Sequence, residues 1–551
     1  MKAADLFVAC LAEEGVTHVF GVPGEENLDL LEALRESSIE FVVTRHEQHA
    51  AFMAATHGRL TGRAGVCLST LGPGATNLLT GIAHAQLGGM PLVAITGQKA
   101  LHHNWQGNFQ LVDVIGCFEP LTKWNQSIAT GDSIPRFVRY AFKVAEGERP
   151  GAVHLELPED VAAHDVPDGV PQRRVSVRRP TADETALDDA AALIRGARNP
   201  VLIVSAGANR KRVGEQLRSF VETTGIGAVA TQTGKGVLPD DHPRSLFSLG
   251  IHKKDGAHVA IERADLVICV GYDIVEYPPA VWNEDHDKQI LHVDFTEAEP
   301  DLAYNPACEL VGDIAASLEG LCARLSDVDF ADAEQARLRT ILNEMLHPGT
   351  CSDCIPVSYE RVVHDVREVM QRRDIVSLDN TIAKLWFARG YATYADNTLL
   401  LDNALATMGA GLAAGMTAKM LQPGQRVLVV AGDGGFMMNS QDLETSVRLG
   451  LDLVVLILRD DTYGFIRWKQ KMEGFAEHAL SFGNPDYVKY AEAYGAHGLR
   501  VGEPDSLADT LRAAYAHGGV VLVDCPVDNT ENDRLATDLA ADVRRQMEQK
   551  S

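Results

Sequence analysis

Residues 426–435 read RVLVVAGDGG, and residues 453–462 read LVVLILRDDT. Each segment starts with an apolar, β-branched run of strand length and ends in a turn that carries a carboxylate. A helix-length stretch separates the two runs, which is typical of a β-α-β unit with parallel strands. Because ligands of open α/β sheets bind at the carboxyl ends of the strands, we expect Asp433 and Asp460 to lie at one ligand-binding edge.

The residues at this edge suit a diphosphate that is bound through a divalent metal. Asp433 and Asp460 supply the oxygen donors that Mg²⁺ or Ca²⁺ prefers. Gly434 and Gly435 allow the backbone to approach phosphate oxygens, and the following helix presents free N–H groups. A Gly-Asp-Gly sequence is by itself common in ordinary turns. The order strand, turn, helix, strand and acidic end favours the ligand-binding interpretation.

The same alternation of short apolar strands and amphipathic helices recurs along the 551 residues. We predict an α/β fold with three doubly wound parallel-sheet domains at residues 1–165, 185–340 and 359–530, followed by a tail at 531–551. The strands that we predict include 41–44, 65–69, 91–95, 152–155, 200–204, 265–270, 289–294, 374–377, 426–430 and 453–458.

Charge and composition restrict the class of protein. The formal net charge of −26 argues against nucleic acid and anionic membrane surfaces as partners. We find no signal peptide and no apolar run of about 18 residues, and so predict a cytoplasmic protein without a membrane span. Several of the nine cysteines lie in apolar segments, as in a reduced compartment. For Cys351 and Cys354, an isolated C-x-x-C, we favour an ordinary loop over a redox or zinc site.

The spacing from Gly432-Asp433-Gly434 to Asp460 resembles the metal and diphosphate motif of thiamine-diphosphate enzymes. The family usually has Asn-Asn where this chain has Arg459-Asp460, which adds negative charge. The resemblance implies thiamine diphosphate and Mg²⁺, or another divalent cation, held by Asp433, Asp460 and the carbonyl of Thr462. The cofactor-binding positions implied by the resemblance are Gly24, Glu25, Gly74, Asn77, Thr381, Ala406, Met408, Gly432, Asp433, Gly434, Gly435 and Phe465.

Residues near the start of the chain resemble the pyrimidine-binding domain of the family. Glu47 follows the strand at 41–44 and looks like the family's activating glutamate, which lies beside the aminopyrimidine ring and helps to remove the thiazolium C2 proton. The segments FGVPGE (20–25) and GPGATN (72–77) resemble loops of that domain. The alternative for Glu47 is a helix-start residue that complements the helix dipole.

The segment ALATMGAG at residues 404–411 resembles a third family motif. In the family, a bulky apolar side chain wedges between the two cofactor rings, and Met408 resembles that residue. The carbonyl of Ala406 resembles the acceptor of the 4′-amino group. The alternative for Met408 is ordinary core packing.

The resemblance is closest to acetolactate synthases of the flavin-free type. Asn108, Phe109 and Gln110 resemble the carboligase substrate pocket, and GYDIVEY (271–277) resembles the flavin-free middle domain. The arginine-containing motif of flavin-binding relatives is missing, and SAGAN (205–209) has one glycine, which is too poor a pattern for a dinucleotide. These features argue against FAD.

The sequence leaves two reactions open, because both begin with decarboxylation of a 2-oxo acid. His102 and His103 resemble the histidine pair of pyruvate decarboxylases, although a solvated loop is the alternative. Those enzymes have an acidic residue where this chain has Ile466, which favours carboligation. Gln110 would then bind the carbonyl of the acceptor, and Phe109 would set the pocket width. A non-catalytic homologue is the third possibility.

The resemblance also implies small 2-oxo acid substrates and a homodimer or homotetramer with the active site at a subunit interface. One segment departs from the family. Acetolactate synthases often have Gly-Gln-His near the start of the third domain, whereas residues 379–383 read DNTIA. We expect the phosphate grip in this region to depend more on backbone N–H groups.

Overall fold

The computed structural model describes residues 1–103, 109–167, 169–175, 179–210, 212–250, 255–347, 355–502 and 506–549. Asn108, Cys351 and Cys354 therefore lie outside the described residues. The chain forms two compact units. The first unit consists of Met1–Val177, Ala404–Gly424 and Phe436–Leu453, and the second consists of Arg178–Asn403, Gln425–Gly435 and Val454–Ser551.

The first unit contains a six-stranded parallel sheet in the order β2-β1-β3-β4-β6-β5. Its strands are β1 (His18–Gly21), β2 (Glu40–Val43), β3 (Gly65–Ser69), β4 (Leu92–Gln98), β5 (Trp124–Ser127) and β6 (Ala152–Pro158). Its helices are α1 (Ala3–Glu13), α2 (Leu28–Arg35), α3 (Glu47–Thr61), α4 (Pro73–Leu87), α5 (Val114–Phe118), α6 (Ile134–Glu146) and α7 (Glu159–Ala163). The central strands β3, β4 and β6 are buried throughout, as expected of a parallel sheet that is covered on both faces.

The second unit contains two further parallel sheets. The central sheet has the order β12-β11-β10-β7-β8-β9. Its strands are β7 (Pro200–Val204), β8 (Gly227–Ala230), β9 (Ser245–Ser248), β10 (Leu266–Val270), β11 (Gln289–Asp294) and β12 (Cys308–Val311). Its helices are α8 (Glu184–Gly196), α9 (Val213–Thr224), α10 (His258–Glu262), α11 (Pro279–Trp282), α12 (Ile314–Arg324) and α13 (Ala333–Leu346).

The third sheet has the order β13-β19-β17-β16-β14-β15, with β18 paired to β19. Its strands are β13 (Val357–Ser358), β14 (Ile375–Leu378), β15 (Leu399–Leu400), β16 (Val427–Gly432), β17 (Leu453–Arg459), β18 (His497–Arg500) and β19 (Val520–Asp528). The helices of this part of the chain are α14 (Tyr359–Val369), α15 (Ala383–Gly390), α16 (Ala410–Leu421), α17 (Asp433–Asn439), α18 (Leu443–Arg448), α19 (Gly464–Met472), α20 (Tyr487–Ala493), α21 (Ser506–His517) and α22 (Leu539–Gln549).

The predicted fold class of three parallel-sheet α/β domains is confirmed. β16 and β17 are hydrogen-bonded neighbours, with Gly432 opposite Leu458, so their carboxyl ends meet at one edge. In the first unit α16 packs on α3, where the Thr417 hydroxyl donates to the Met53 carbonyl at 3.4 Å. In the described part of the chain, no helix has both the length and the apolar character to cross a membrane.

Candidate active site

Glu47 is the first residue of α3, four positions after the last residue of β2, and it is 9% exposed. Asn77 of α4 donates to Glu47 Oε2 at 3.0 Å. Gly74 lies against the same carboxylate, because a Cβ there would lie 3.2 Å from Oε1 and 2.8 Å from Thr70 Cγ2. The first turn of α4 therefore approaches Glu47 closely only with glycine at this position.

The loop that carries Glu47 is fixed by Asp442, which sequence reasoning did not identify. The carboxylate of Asp442 accepts bonds from Arg45 N at 2.8 Å and from the Thr445 hydroxyl at 2.9 Å. His49 Nδ1 lies 3.6 Å from Asp442 Oδ2, and both side chains are fully buried. Burial lowers the pKa of His49, and Asp442 opposes that shift. No sequence signal linked these groups, since 397 residues separate Arg45 from Asp442.

The loop at Gly24 and Glu25 follows β1. A Cβ on Gly24 would lie 2.2 Å from Thr70 Cβ, so the glycine permits a close approach to the loop after β3. Glu25 is exposed, whereas the neighbouring Glu26 is buried and accepts a 2.6 Å bond from Lys99 Nζ. Burial opposes ionisation of Glu26, but the bonds from Lys99 and Thr70 lower its pKa. Glu26 is therefore an ionised residue that anchors this loop.

Phe109 and Gln110 form a turn beside the start of α4. The Gln110 carbonyl oxygen would lie 2.5 Å from a Cβ on Gly72, and Gln110 itself has a φ of 61°. Phe109 is 74% exposed. The turn thus lies at the N-terminus of the helix that carries Gly74 and Asn77.

His102 and His103 lie on an exposed 3₁₀ turn. Their ring centroids are 4.0 Å apart, and His102 Nδ1 lies 3.6 Å from Asp160 Oδ2. Asp160 also accepts from the Leu101 backbone N–H at 3.1 Å. The pair therefore belongs to a solvated turn that is fixed by α7.

Met408 and Ala406 precede α16. Ala406 is exposed, and Met408 is half-buried, unlike the fully buried Met53 and Met416 of the same unit. The chain turns into α16 at Gly409, which has a φ of 87° and whose carbonyl accepts from Asn439 Nδ2 at 3.1 Å. The side chain of Met408 is thus only partly covered by its own chain.

Asp433 is the centre of a polar cluster at the edge formed by β16 and β17. Its Oδ1 accepts from Gly434 N at 2.8 Å, and its Oδ2 accepts from Asp460 N at 3.2 Å and Asp461 N at 2.8 Å. Asn484 Nδ2 also donates to Oδ2, at 2.8 Å. Asn484 lies in an irregular segment 51 residues after Asp433, and sequence reasoning missed it.

Asp460 faces the same edge. Its Oδ1 accepts from Thr462 N at 3.1 Å, and its Oδ2 accepts from Asn529 Nδ2 at 2.6 Å. Thr462 is buried at the start of the segment that leads into α19. Asn529 follows the last strand, β19, and was not predicted as a site residue.

Both carboxyl groups have pKa values above their ordinary values. Burial, together with the nearby Asp460, raises the pKa of Asp433 to about 6. Burial also raises the pKa of Asp460. A group that carries positive charge would relieve both effects, because an opposite charge favours the ionised form of a carboxyl group.

The glycines at the end of β16 and just after it let two loops approach one turn closely. A Cβ on Gly432 would lie 3.0 Å from Thr381 Oγ1, and one on Gly434 would lie 3.0 Å from Tyr463 Cε1. A Cβ on Gly435 would lie 2.9 Å from Asp379 Oδ1. The loop at residues 379–381 therefore packs directly on the Gly-Asp-Gly-Gly turn.

Phe465 and Ile466 lie in the first turn of α19, immediately after Thr462-Tyr463-Gly464. Phe465 is half-buried and its ring centroid lies 5.8 Å from that of Trp468. Ile466 is 49% exposed. The helix thus presents an apolar side chain, without a carboxylate, at this position.

Arg459 stands where the resemblance leads one to expect asparagine. Its Nε donates to Asp524 Oδ1 at 2.9 Å, and Arg500 Nε donates to Asp524 Oδ2 at 2.8 Å. Asp524 is almost fully buried. Arg459 therefore pairs with a buried carboxylate of β19, and its Nη1 also lies 3.5 Å from Oδ2 of Asp461, beside the polar cluster of Asp433.

Comparison with known proteins agrees with this architecture. The models for the thiamine pyrophosphate enzyme N-terminal TPP binding domain, central domain and C-terminal TPP binding domain match residues 1–116, 187–321 and 379–525. The chain is 35% identical to the acetolactate synthase of Bacillus subtilis, with 98% of this chain and 95% of the relative aligned. It is 32% identical to the catabolic acetolactate synthase of Raoultella terrigena, with 97% and 96% aligned. It is also 32% identical to the acetolactate synthase isozyme 2 large subunit of Escherichia coli, with 97% and 96% aligned.

Proposed function

Because this chain belongs to the thiamine pyrophosphate enzymes, we propose that it decarboxylates a 2-oxo acid such as pyruvate and joins the remaining acyl unit to a second carbonyl compound. With pyruvate as donor and acceptor, two pyruvate anions and one proton give one acetolactate anion and CO₂. When bound, thiamine diphosphate supplies the electron sink that makes loss of CO₂ possible. The proposed roles of the chain's own residues follow from the two clusters described above.

The cluster at Asp433 suits Mg²⁺ or another divalent cation, together with the diphosphate of the cofactor. Its donors are all oxygens, namely the carboxylates of Asp433 and Asp460 and the carbonyl of Thr462. The raised pKa values of the two aspartates support this role, since a dication would offset the repulsion between them. The lack of a Cβ at Gly434 and Gly435 would let phosphate oxygens approach the backbone of this turn closely.

The cluster at Glu47 would handle the proton of the cofactor's pyrimidine ring. Asn77 fixes Oε2, and in our proposal Oε1 exchanges the proton. Burial of the carboxylate strengthens such an interaction because water does not compete for it. The half-buried Met408 would pack against the cofactor rings, and the carbonyl of Ala406, an exposed residue, would accept from the 4′-amino group.

In our proposal, Ile466 favours carboligation over simple decarboxylation. It is half-exposed and apolar, one turn after the proposed metal ligands, where an aldehyde-forming enzyme needs an acid. An apolar side chain protonates nothing and leaves room for a second substrate. Phe109 and Gln110, on a turn at the start of α4, would contact that acceptor.

The test is product analysis with pyruvate, thiamine diphosphate and Mg²⁺, in which acetolactate, acetaldehyde and CO₂ are quantified together. We expect acetolactate and CO₂ in equal amounts, and neither product when cofactor or metal is omitted. Acetaldehyde as the main product would contradict carboligation and give His102 and His103 a role in proton transfer. No product from pyruvate, with products from other 2-oxo acids, would show that pyruvate is the wrong donor.

We further propose a homodimer or homotetramer with its active sites at subunit interfaces, and no requirement for FAD. Light scattering of the purified protein measures the oligomeric state. Its visible absorbance reports a bound flavin, and full activity of flavin-free protein is the expected result. A monomer with full activity would contradict the interface proposal.

A further inference from the structure

Lys384 is a buried cation next to the loop that packs on the Gly-Asp-Gly-Gly turn. Its side chain is 9% exposed. Its Nζ donates to Asn380 Oδ1 at 2.8 Å, to the Asp402 carbonyl at 2.9 Å and to Asn403 Oδ1 at 3.0 Å. These acceptors use all three ammonium hydrogens, so the amine is oriented by the protein and has no donor left for a ligand.

Asn403 connects Lys384 to the central domain. Its Nδ2 donates to Glu276 Oε1 at 3.0 Å and to Gln232 Oε1 at 2.9 Å. The carboxylate of Glu276 is itself held by three hydroxyl donors, Ser205, Thr231 and Thr233. Glu276 is therefore a fixed anchor, and a continuous chain of hydrogen bonds runs from it to Asn380.

The hydrogen-bonded series that starts at Glu276 ends at the loop of residues 379–381. As described above, Thr381 and Asp379 lie against Gly432 and Gly435, the positions that we assign to the cofactor's diphosphate. Residues 379–383 read DNTIA, and Lys384 follows this segment directly. Burial lowers the pKa of Lys384, while Asp402, Glu276 and Asp379 oppose that shift and favour the ammonium form.

We propose that Lys384 is a positioning residue for the diphosphate of thiamine diphosphate. Anchored through Asn403 to Glu276 of the central domain, it holds Asn380 and thereby the 379–381 loop in the conformation that receives the phosphates. This inference rests on the proposed function, because it presupposes the cofactor at that turn. A loop that already has its bound conformation loses less conformational entropy when the ligand binds, and the affinity for the ligand is therefore higher.

The experiment is calorimetric titration of cofactor-free protein, in Mg²⁺, with thiamine diphosphate and separately with thiamine monophosphate. We expect Lys384→Met to weaken diphosphate binding about 10- to 100-fold, the range typical of outer-sphere supports, and monophosphate binding about threefold or less. Asn380→Ala should show the same selective loss, and it keeps the test valid if Lys384→Met does not fold. Lys235→Met is the matched control, since Lys235 is also a buried lysine, and its Nζ donates to the Ser248 hydroxyl at 2.9 Å.

Glu276→Gln tests the connection to the central domain. If Glu276 acts through Lys384, the double variant with Lys384→Met should bind thiamine diphosphate no more weakly than Lys384→Met alone, because coupled residues are not additive. Fully additive losses of thiamine diphosphate affinity in the double variant would refute the proposed connection from Glu276 through Asn403 to Lys384.

Two results would overturn the positioning role while the proposed function stands. One is diphosphate affinity within about twofold of wild type in both Lys384→Met and Asn380→Ala, well below the expected range. The other is an equal loss of both cofactor forms, or the same loss in Lys235→Met, which would indicate a general structural defect. Failure of the wild-type protein to bind thiamine diphosphate would instead refute the proposed function itself.

Discussion

Acidification should weaken metal binding through Asp433. Its pKa of about 6 means that a proton competes with the metal for the carboxylate well above the range of an ordinary aspartate. For one competing proton, the apparent dissociation constant rises by the factor 1 + 10^(pKa − pH). That factor is about 1.1 at pH 7, about 2 at pH 6 and about 11 at pH 5. Asp460, whose pKa is also raised, should make the dependence steeper.

Mn²⁺ is a suitable probe, because its electron paramagnetic resonance signal reports the free ion directly. The titration is done without cofactor, since phosphate oxygens also titrate near pH 6. Asp433→Asn should bind the ion weakly at every pH and show a flatter profile. Asp461→Asn is the matched control, because Asp461 is an exposed neighbour that shares Asn484 with Asp433.

Equal wild-type affinity for Mn²⁺ at pH 5 and pH 7, or the full wild-type pH dependence in Asp433→Asn, would refute this role of Asp433. The pH dependence of the stability of the metal-free protein independently checks the direction of the pKa shift of Asp433. The folded-state pKa of Asp433 is above its unfolded value. The contribution of Asp433 to the free energy of unfolding is therefore fully present below about pH 4 and is lost as pH rises through about 6. Metal-free protein should therefore lose stability over that window, and a saturating divalent cation should restore it.

Substitutions at three further positions test separate parts of the structure. Glu47→Gln should lower turnover about 10²- to 10⁴-fold with an unchanged melting temperature, and normal initial rates would remove Glu47 from the mechanism. Ile466→Glu should shift product from acetolactate towards acetaldehyde, whereas Ile466→Leu should not; an unchanged product ratio in both would contradict the role of this position. Asp442→Ala should cost about 1.5–3 kcal/mol in urea unfolding, because Arg45 N and the Thr445 hydroxyl lose a charged acceptor, and a change within experimental error would contradict that estimate.

The buried strands were predictable because they read as continuous apolar runs. The predicted strands at 65–69, 200–204 and 289–294 coincide with β3, β7 and β11. The sequence did not identify β5, which reads WNQS and is half-buried at the sheet edge. The formation of such a strand depends on pairing with a neighbouring strand more than on its own composition. Its sequence is therefore a poor predictor of strand structure.

In the candidate site, too, some features were predictable from the sequence and others were not. The meeting of Asp433 with the start of the Asp460 loop followed from two neighbouring parallel strands, which the pattern predicted. Asn484, Asn529 and Lys384 could not be found, because irregular segments and tertiary contacts bring them to the site. The roles of the predicted site residues stay predictions until the binding and product measurements are made.

The pairing of Arg459 and Arg500 with the buried Asp524 restricts how this protein can evolve. A change of Arg459 to asparagine, the residue that the resemblance leads one to expect at this position, would leave Asp524 with one guanidinium instead of two. A buried carboxylate that loses a partner is costly, so an intermediate of that kind would be selected against. Residues 459 and 524 are therefore expected to change together among descendants of this sequence, and ancestral reconstruction that swaps only one of them should yield a poorly folded protein.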